Sequence, residues 1–185
     1  IDIIRPLVSN NRVAVVVSAM GGKPKVTDLL LQSVHHAAKN DMHAAKEKLQ
    51  GIRVKHIDCV HELFGDDSDG ISEKLLRVID KDLADVADLL RAVALMRFPH
   101  DQILELVSGY GEIWSATLIT HAMRREGTEF VFLNARDVLF VSEEGDSGGQ
   151  KIEWEMSERK LMEHLERSTR GNDGKVPNLL ITGYV

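Results

Sequence analysis

The chain has 185 residues, with 23 Lys and Arg against 29 Asp and Glu for a formal charge of −6, and 43% of its residues are hydrophobic. That balance is one of a folded domain and excludes a disordered chain or a general binder of nucleic acid or anionic membrane, though not a local site for a small anion. One cysteine, Cys59, excludes an internal disulfide and suits a reducing compartment, and the longest apolar run, Val13 to Val17, is far short of the ~20 residues of a membrane helix.

The chain begins at Ile1 without a Met or a charged leader, and it closes on a stretch that reads as a strand and turn, so both ends are expected to lie inside a longer protein. Ile1, Ile4, Leu7 and Val8 space as a helix stub. The β-branched run 13–17 follows as a strand, and its continuous apolar character predicts cover on both faces, as in a parallel sheet flanked by helices. After a loop over 18–25, Leu30, Val34, Ala37 and Ala38 mark a helix, and Ala45, Leu49, Ile52, His56, Val60 and Leu63 mark a second over about 44–64. Gly65-Asp66-Asp67-Ser68-Asp69-Gly70 breaks it; this loop has the composition of a calcium loop but not its spacing, because Arg77 stands where the bidentate Glu is required.

Ser72 is expected to cap the next helix, whose seam is Leu76, Ile79, Leu83, Val86, Leu90 and Val93, and Pro99 to end it. Asp101 is expected to cap a further helix, interrupted at Gly109-Tyr110-Gly111 and resuming through Trp114, Leu118 and Ala122. Strands over 129–133 and 138–141, a Gly- and acid-rich loop, a helix over 155–168 and a strand over 178–182 complete an α/β order. Ligands of open α/β sheets lie beyond the carboxyl ends of the strands, which directs attention to residues 18–28, the turn after 133, and 183–184.

Ser18-Ala19-Met20-Gly21-Gly22 followed by Val26-Thr27-Asp28 places small residues and hydroxyls before a helix N-terminus, a setting for an anionic group or for an ordinary capped turn. It is not a P-loop, since no Gly-Lys-Ser/Thr follows. Two glycines within helical spacing, Gly109 and Gly111, each cost about 1 kcal/mol relative to alanine, so a close approach by ligand or neighbouring chain should offset them. Glu112 beside them lies among apolar residues and calls for a cation, either a ligand ammonium or an Arg or Lys. Arg136 in Asn134-Ala135-Arg136-Asp137 suits a phosphate or carboxylate contact, or a pair with Asp137. His56, Cys59 and His61 do not share one helix face and lack a fourth ligand, so no metal site is expected; His56 reads as a packed or capping histidine.

In this order the segments resemble the aspartate kinases of the amino-acid kinase family. Val15-Val16-Val17-Ser18-Ala19-Met20 with Val26-Thr27-Asp28, Ser108-Gly109-Tyr110-Gly111-Glu112-Ile113-Trp114-Ser115-Ala116, Arg136-Asp137-Val138-Leu139 and Thr182-Gly183-Tyr184 carry the resemblance, and its flavour is that of the kinase half of bifunctional aspartate kinase–homoserine dehydrogenases. The resemblance implies a three-layer αβα sandwich with a largely parallel central sheet. Residues 1–185 would then be the N-terminal portion of that domain, without its first strand and its C-terminal nucleotide-binding part. It implies transfer of the ATP γ-phosphoryl group to the side-chain carboxylate of L-aspartate, the opening step of lysine, threonine and methionine synthesis, the alternatives being a family member with a different acceptor or a non-catalytic binding or assembly module. Ser18, Thr27, Glu112, Gly183 and Tyr184 would bind aspartate.

ATP and Mg²⁺ would enter as substrates, with no tightly held cofactor and no nucleic-acid or membrane partner. A homo-oligomer, regulatory ACT domains and a fused homoserine dehydrogenase are further expectations, in the cytoplasm or a plastid stroma. The Lys-Phe-Gly-Gly-Thr-Ser strand and Gly-Arg-Gly-Gly-Ser-Asp segment of the family are expected before Ile1 and after Val185, so this stretch alone is expected to be inactive. The loop Gly21-Gly22-Lys23-Pro24-Lys25 is longer than usual for the family, and Asn134 stands where Asp is common.

Overall fold

The structure is a computed structural model that describes residues 1–9, 11–65, 70–144, 149–171 and 174–183. The chain divides into two compact units, one of Ile1–Val17 with Ile119–Val185 and one of Ser18–Leu118.

The Ser18–Leu118 unit is helical. Helix α2 (Val26–Ala38), α3 (Met42–Phe64), α4 (Ile71–Met96) and the first part of α5 (Asp101–Arg125) present apolar residues at intervals of three and four. Val26, Leu30 and Val34 of α2, Ile52 of α3, Val86, Leu90 and Val93 of α4, and Val107 and Trp114 of α5 meet in one core, each almost fully buried. Burial of side chains this size is worth about 1.5–3 kcal/mol each and is what keeps these helices together. Asp41 caps α3, its carboxylate accepting the Ala44 N–H at 3.0 Å.

The second unit holds the sheet. Its strands β1 (Ala14–Val17), β2 (Phe130–Leu133) and β5 (Asn178–Thr182) run parallel in the order β1-β5-β2, with Val15 and Phe132 flanking Leu180. Phe130 and Leu180 pack with Ile4 and Met123, and Val15, Val17 and Ile119 lie against them. Asn178 ties the strand entrances together: its Oδ1 accepts the Val13 N–H and its Nδ2 donates to the Glu129 carbonyl. At the exits, the Thr182 hydroxyl accepts the Ala135 N–H at 2.9 Å. A short helix α1 (Arg5–Val8), a hairpin of β3 (Val141–Glu144) and β4 (Gly149–Ile152), and α6 (Trp154–Arg170) complete the unit.

The architecture is α/β with a parallel sheet, and the helix order follows the sequence pattern; several local expectations are overturned. β1 is not covered on both faces among the described residues, because Val15 and Val17 are half-buried while Val16 is 64% exposed. The run of valines reflects the preference of β-branched residues for a strand, which operates whether one face is covered or two. α5 is continuous through Gly109 and Gly111. Gly70 in the left-handed region, not Ser72, stands at the N-cap of α4, and Ser72 is buried in the first turn. Asp101 is the first helical residue of α5, where the His100 carbonyl accepts from Ile103 and Leu104; an acidic residue there favours the helix dipole. Leu75, not Leu76, and Phe64, rather than Leu63, fill the core. The strand expected over 138–141 starts instead at Val141, since a 3-10 turn over Ala135–Asp137 takes up the preceding residues, and β4 arises from the loop expected after it. The acidic loop over 66–69 lies outside the described residues.

Candidate functional site

Within the helical unit, residues 18–25 form a loop leading into α2, closed by a hydrogen bond from the Val26 N–H to the Met20 carbonyl at 3.1 Å. The Leu29 N–H returns to the Lys25 carbonyl as the first helical bond, so Thr27 and Asp28 lie in the first turn at the positive end of the helix. Neither caps α2: the N-cap is Lys25, without a side-chain capping bond, and Thr27 is partly buried.

α5 delivers the acidic group. Glu112 is only 8% exposed, and its Oε1 accepts the Ser18 hydroxyl at 3.3 Å. Gly111 makes this approach possible. A Cβ at that position would lie 2.8 Å from Ala19 Cβ and 3.1 Å from Val26 Cγ1, too close on the loop side for any other residue without a shift. The glycine in this helix is therefore offset by contact with the neighbouring loop and with α2. Ser18 and Glu112 are thus in contact beside the start of α2, where Val26 lies against Gly111: a nearly buried carboxylate, a hydroxyl and helix-terminal N–H groups. Such a set suits a small zwitterion, with a cation for the carboxylate and an anion for the helix end.

Lys55, which sequence reasoning missed, belongs to the same neighbourhood. Its Nζ donates to the Gly21 carbonyl at 3.0 Å and the Pro24 carbonyl at 2.7 Å. A lysine more than 30 residues away in a regular helix gives no local signal that it ends on this loop.

The other expected site residues lie in the sheet unit. Gly183 follows β5, exposed, and its N–H donates to the Val17 carbonyl at 2.9 Å; Tyr184 lies outside the described residues. Arg136 sits in the 3-10 turn, its N–H bonded to the Asn134 side chain, which caps the turn. The turn borders a groove of about 840 Å³ that Lys160, Glu163, His164 and Arg167 of α6 also line. Burial, and then the charge of Arg167, hold His164 below the usual histidine range, against the pull of Asp137.

His56 is fully buried, packed edge-on to Trp114 at 5.1 Å, with Nδ1 at 2.8 Å from the Ile52 carbonyl. It is the packed histidine the sequence suggested. Burial, followed by Glu62, pushes the Cys59 thiol up, the reverse of an activated thiolate. Among the described residues no group of three or more His, Cys, Asp or Glu could hold a metal ion, and no helix is long and apolar enough to cross a membrane.

No protein-family model matches the chain. It is 29% identical over 176 residues to bifunctional aspartokinase/homoserine dehydrogenase 1, chloroplastic, of Arabidopsis thaliana, covering 95% of this chain and 18% of that protein. It is 27% identical over 191 residues to the aspartokinase of Candida albicans, covering 99% of this chain and 34% of that one. The chain therefore spans between about a fifth and a third of the length of these curated relatives. Among solved structures, Escherichia coli aspartokinase III in complex with lysine and aspartate matches at a TM-score of 0.70 with 20% identity, over 97% of this chain and 35% of that one. The same enzyme in complex with aspartate and ADP matches at 0.69 over 98% of this chain. At that identity the structural match shows the fold, which is that of the corresponding part of an aspartokinase.

Proposed function

We propose that this chain, which is similar to aspartokinases along nearly its whole length, supplies within a longer protein the aspartate-binding side of an ATP-dependent aspartate kinase. The reaction is transfer of the γ-phosphoryl group of ATP to the β-carboxylate of L-aspartate, giving 4-phospho-L-aspartate and ADP. The observation that carries the reading is the Ser18–Glu112 contact beside the α2 N-terminus.

Glu112 takes the α-ammonium of aspartate, an ion pair favoured by its near burial. Thr27 and the first turn of α2 bind a carboxylate of the substrate, where the helix dipole stabilises negative charge. Ser18 hydrogen-bonds Glu112 and fixes the carboxylate before substrate arrives. The protein's task is then positioning: phosphoryl transfer proceeds through a loose transition state in which alignment and charge neutralisation lower the barrier. Mg²⁺ enters with ATP as substrate, and the remaining phosphate and nucleotide contacts come from segments outside this chain.

The bifunctional names of plant relatives support a homoserine dehydrogenase domain fused to the parent protein, and their chloroplastic names support a plastid stroma as its compartment. A homo-oligomer with ACT regulatory domains completes the proposal. The test is Glu112→Gln in the full-length protein, with ADP release followed against aspartate. Loss of a buried charge partner should raise the KM for aspartate about a hundredfold, leaving the KM for ATP near its original value. Unchanged aspartate kinetics would reject the assigned role. ADP release by the unmodified protein with glutamate but not aspartate would replace the acceptor while keeping the kinase.

A further inference from the structure

We infer that Lys55 is a positioning residue for the aspartate-binding loop: its ammonium staples Gly21 and Pro24 to α3 and so holds Ser18 and Thr27 in register with Glu112. The inference rests on the proposed aspartate site. The loop between β1 and α2 is exposed over 21–25 and has few internal ties, the described backbone bond across it being that from Val26 N–H to Met20 O. An extended loop of this kind loses conformational entropy when it is held in one shape, and a cross-link at its middle limits what it can explore.

Lys55 is built for that task. Its turn of α3 is anchored by Ile52 and His56, both 0% exposed, so the stem starts from a fixed backbone. The ammonium has three donors, and two are spent on carbonyls three residues apart, Gly21 at 3.0 Å and Pro24 at 2.7 Å. Between them Gly22 has a φ of +91°, which L side chains rarely adopt, and a Cβ there would stand 3.2 Å from the lysine Nζ. The loop is thus wrapped around the ammonium. Ser18 precedes the stapled segment, bonded to Glu112, and Thr27 follows it at the head of α2, so the staple sets the path between two of the substrate contacts. Five exposed residues between fixed ends have freedom that such a tie removes from the site.

The experiment compares Lys55→Met and Lys55→Arg with the unmodified full-length protein. Lys55→Met keeps the apolar stem and removes the donors; it should raise the KM for aspartate about tenfold, with KM for ATP and thermal midpoint almost unchanged. Lys55→Arg keeps donors for both carbonyls and should recover most of the loss. Hydrogen exchange read in the same proteins should quicken over residues 19–26 in Lys55→Met and stay constant along α3. An unchanged KM for aspartate with unchanged loop exchange overturns the inference, as does an equal rise in both KM values with a lowered thermal midpoint, which marks a general structural role. If the unmodified protein phosphorylates no aspartate, the aspartate reading fails by itself. The exchange arm then decides the staple: faster loop exchange in Lys55→Met supports it and unchanged exchange refutes it.

Discussion

At the scale of single residues, the chemistry depends on what surrounds a side chain rather than on its identity. Gly111 gains nothing from its flexibility, since it sits in regular α5; it is needed because Ala19 and Val26 occupy the space of its Cβ. Gly111→Ala therefore sets a helix-propensity gain of about 1 kcal/mol against an overpacking cost of about 1–3 kcal/mol, for a net loss near 1 kcal/mol in urea unfolding. Because the pressure falls on the loop carrying Ser18, the same variant should also weaken aspartate use.

His56 gives a pH dependence. Burial, the largest effect, lowers its pKa, the bond to Ile52 opposes this, and the charge of Lys55 lowers it further. A histidine depressed in the folded state takes up its proton first in the unfolded chain, so stability is intact above the ordinary value of 6.5 and falls as the pH drops below it. The urea midpoint should accordingly drop between pH 7.5 and 5.5, and drop less in His56→Gln. An equal drop in both proteins would assign the dependence to His164, which is also depressed.

At the scale of elements, α4 and α5 are joined by more than apolar contact: the Trp114 indole donates to Asp82 Oδ2 at 2.8 Å. Burial raises the Asp82 carboxyl above its ordinary range, and the indole donor is the main opposing influence. Trp114→Phe removes the donor and also part of a fully buried ring, leaving a cavity, so it should cost about 2–4 kcal/mol in chemical unfolding. Periodicity in the sequence was enough to place α3 and α4 to within a few residues, because each buries one stripe. It failed where burial and local propensity part ways. The valines of β1 form a strand without being enclosed, and the glycines of α5 do not break a helix whose neighbours need the space.

At the scale of the whole molecule, the charge of −6 fits poorly with this stretch alone holding both anionic substrates of the proposed reaction. The curated relatives extend far beyond the matched part, since the chain covers 18% of the Arabidopsis protein and 34% of the Candida one. The 185-residue chain expressed alone should therefore release no ADP from ATP in the presence of aspartate. The full-length protein should restore turnover, and a coupled assay on the two side by side checks both statements.

The sequence alone determined the α/β order, the helix faces and the motif series that resembles the aspartate kinases, because each is written in residues close along the chain. It also singled out Ser18, Thr27 and Glu112, since hydroxyls before a helix and an acid among apolar residues are locally anomalous. Only the tertiary structure decided that Ser18 meets Glu112, that Gly111 clears the loop, and that Lys55 reaches Gly21 and Pro24. These contacts join residues some 30 to 90 positions apart, and no local pattern encodes them; the packing of α2, α3 and α5 around one core creates them.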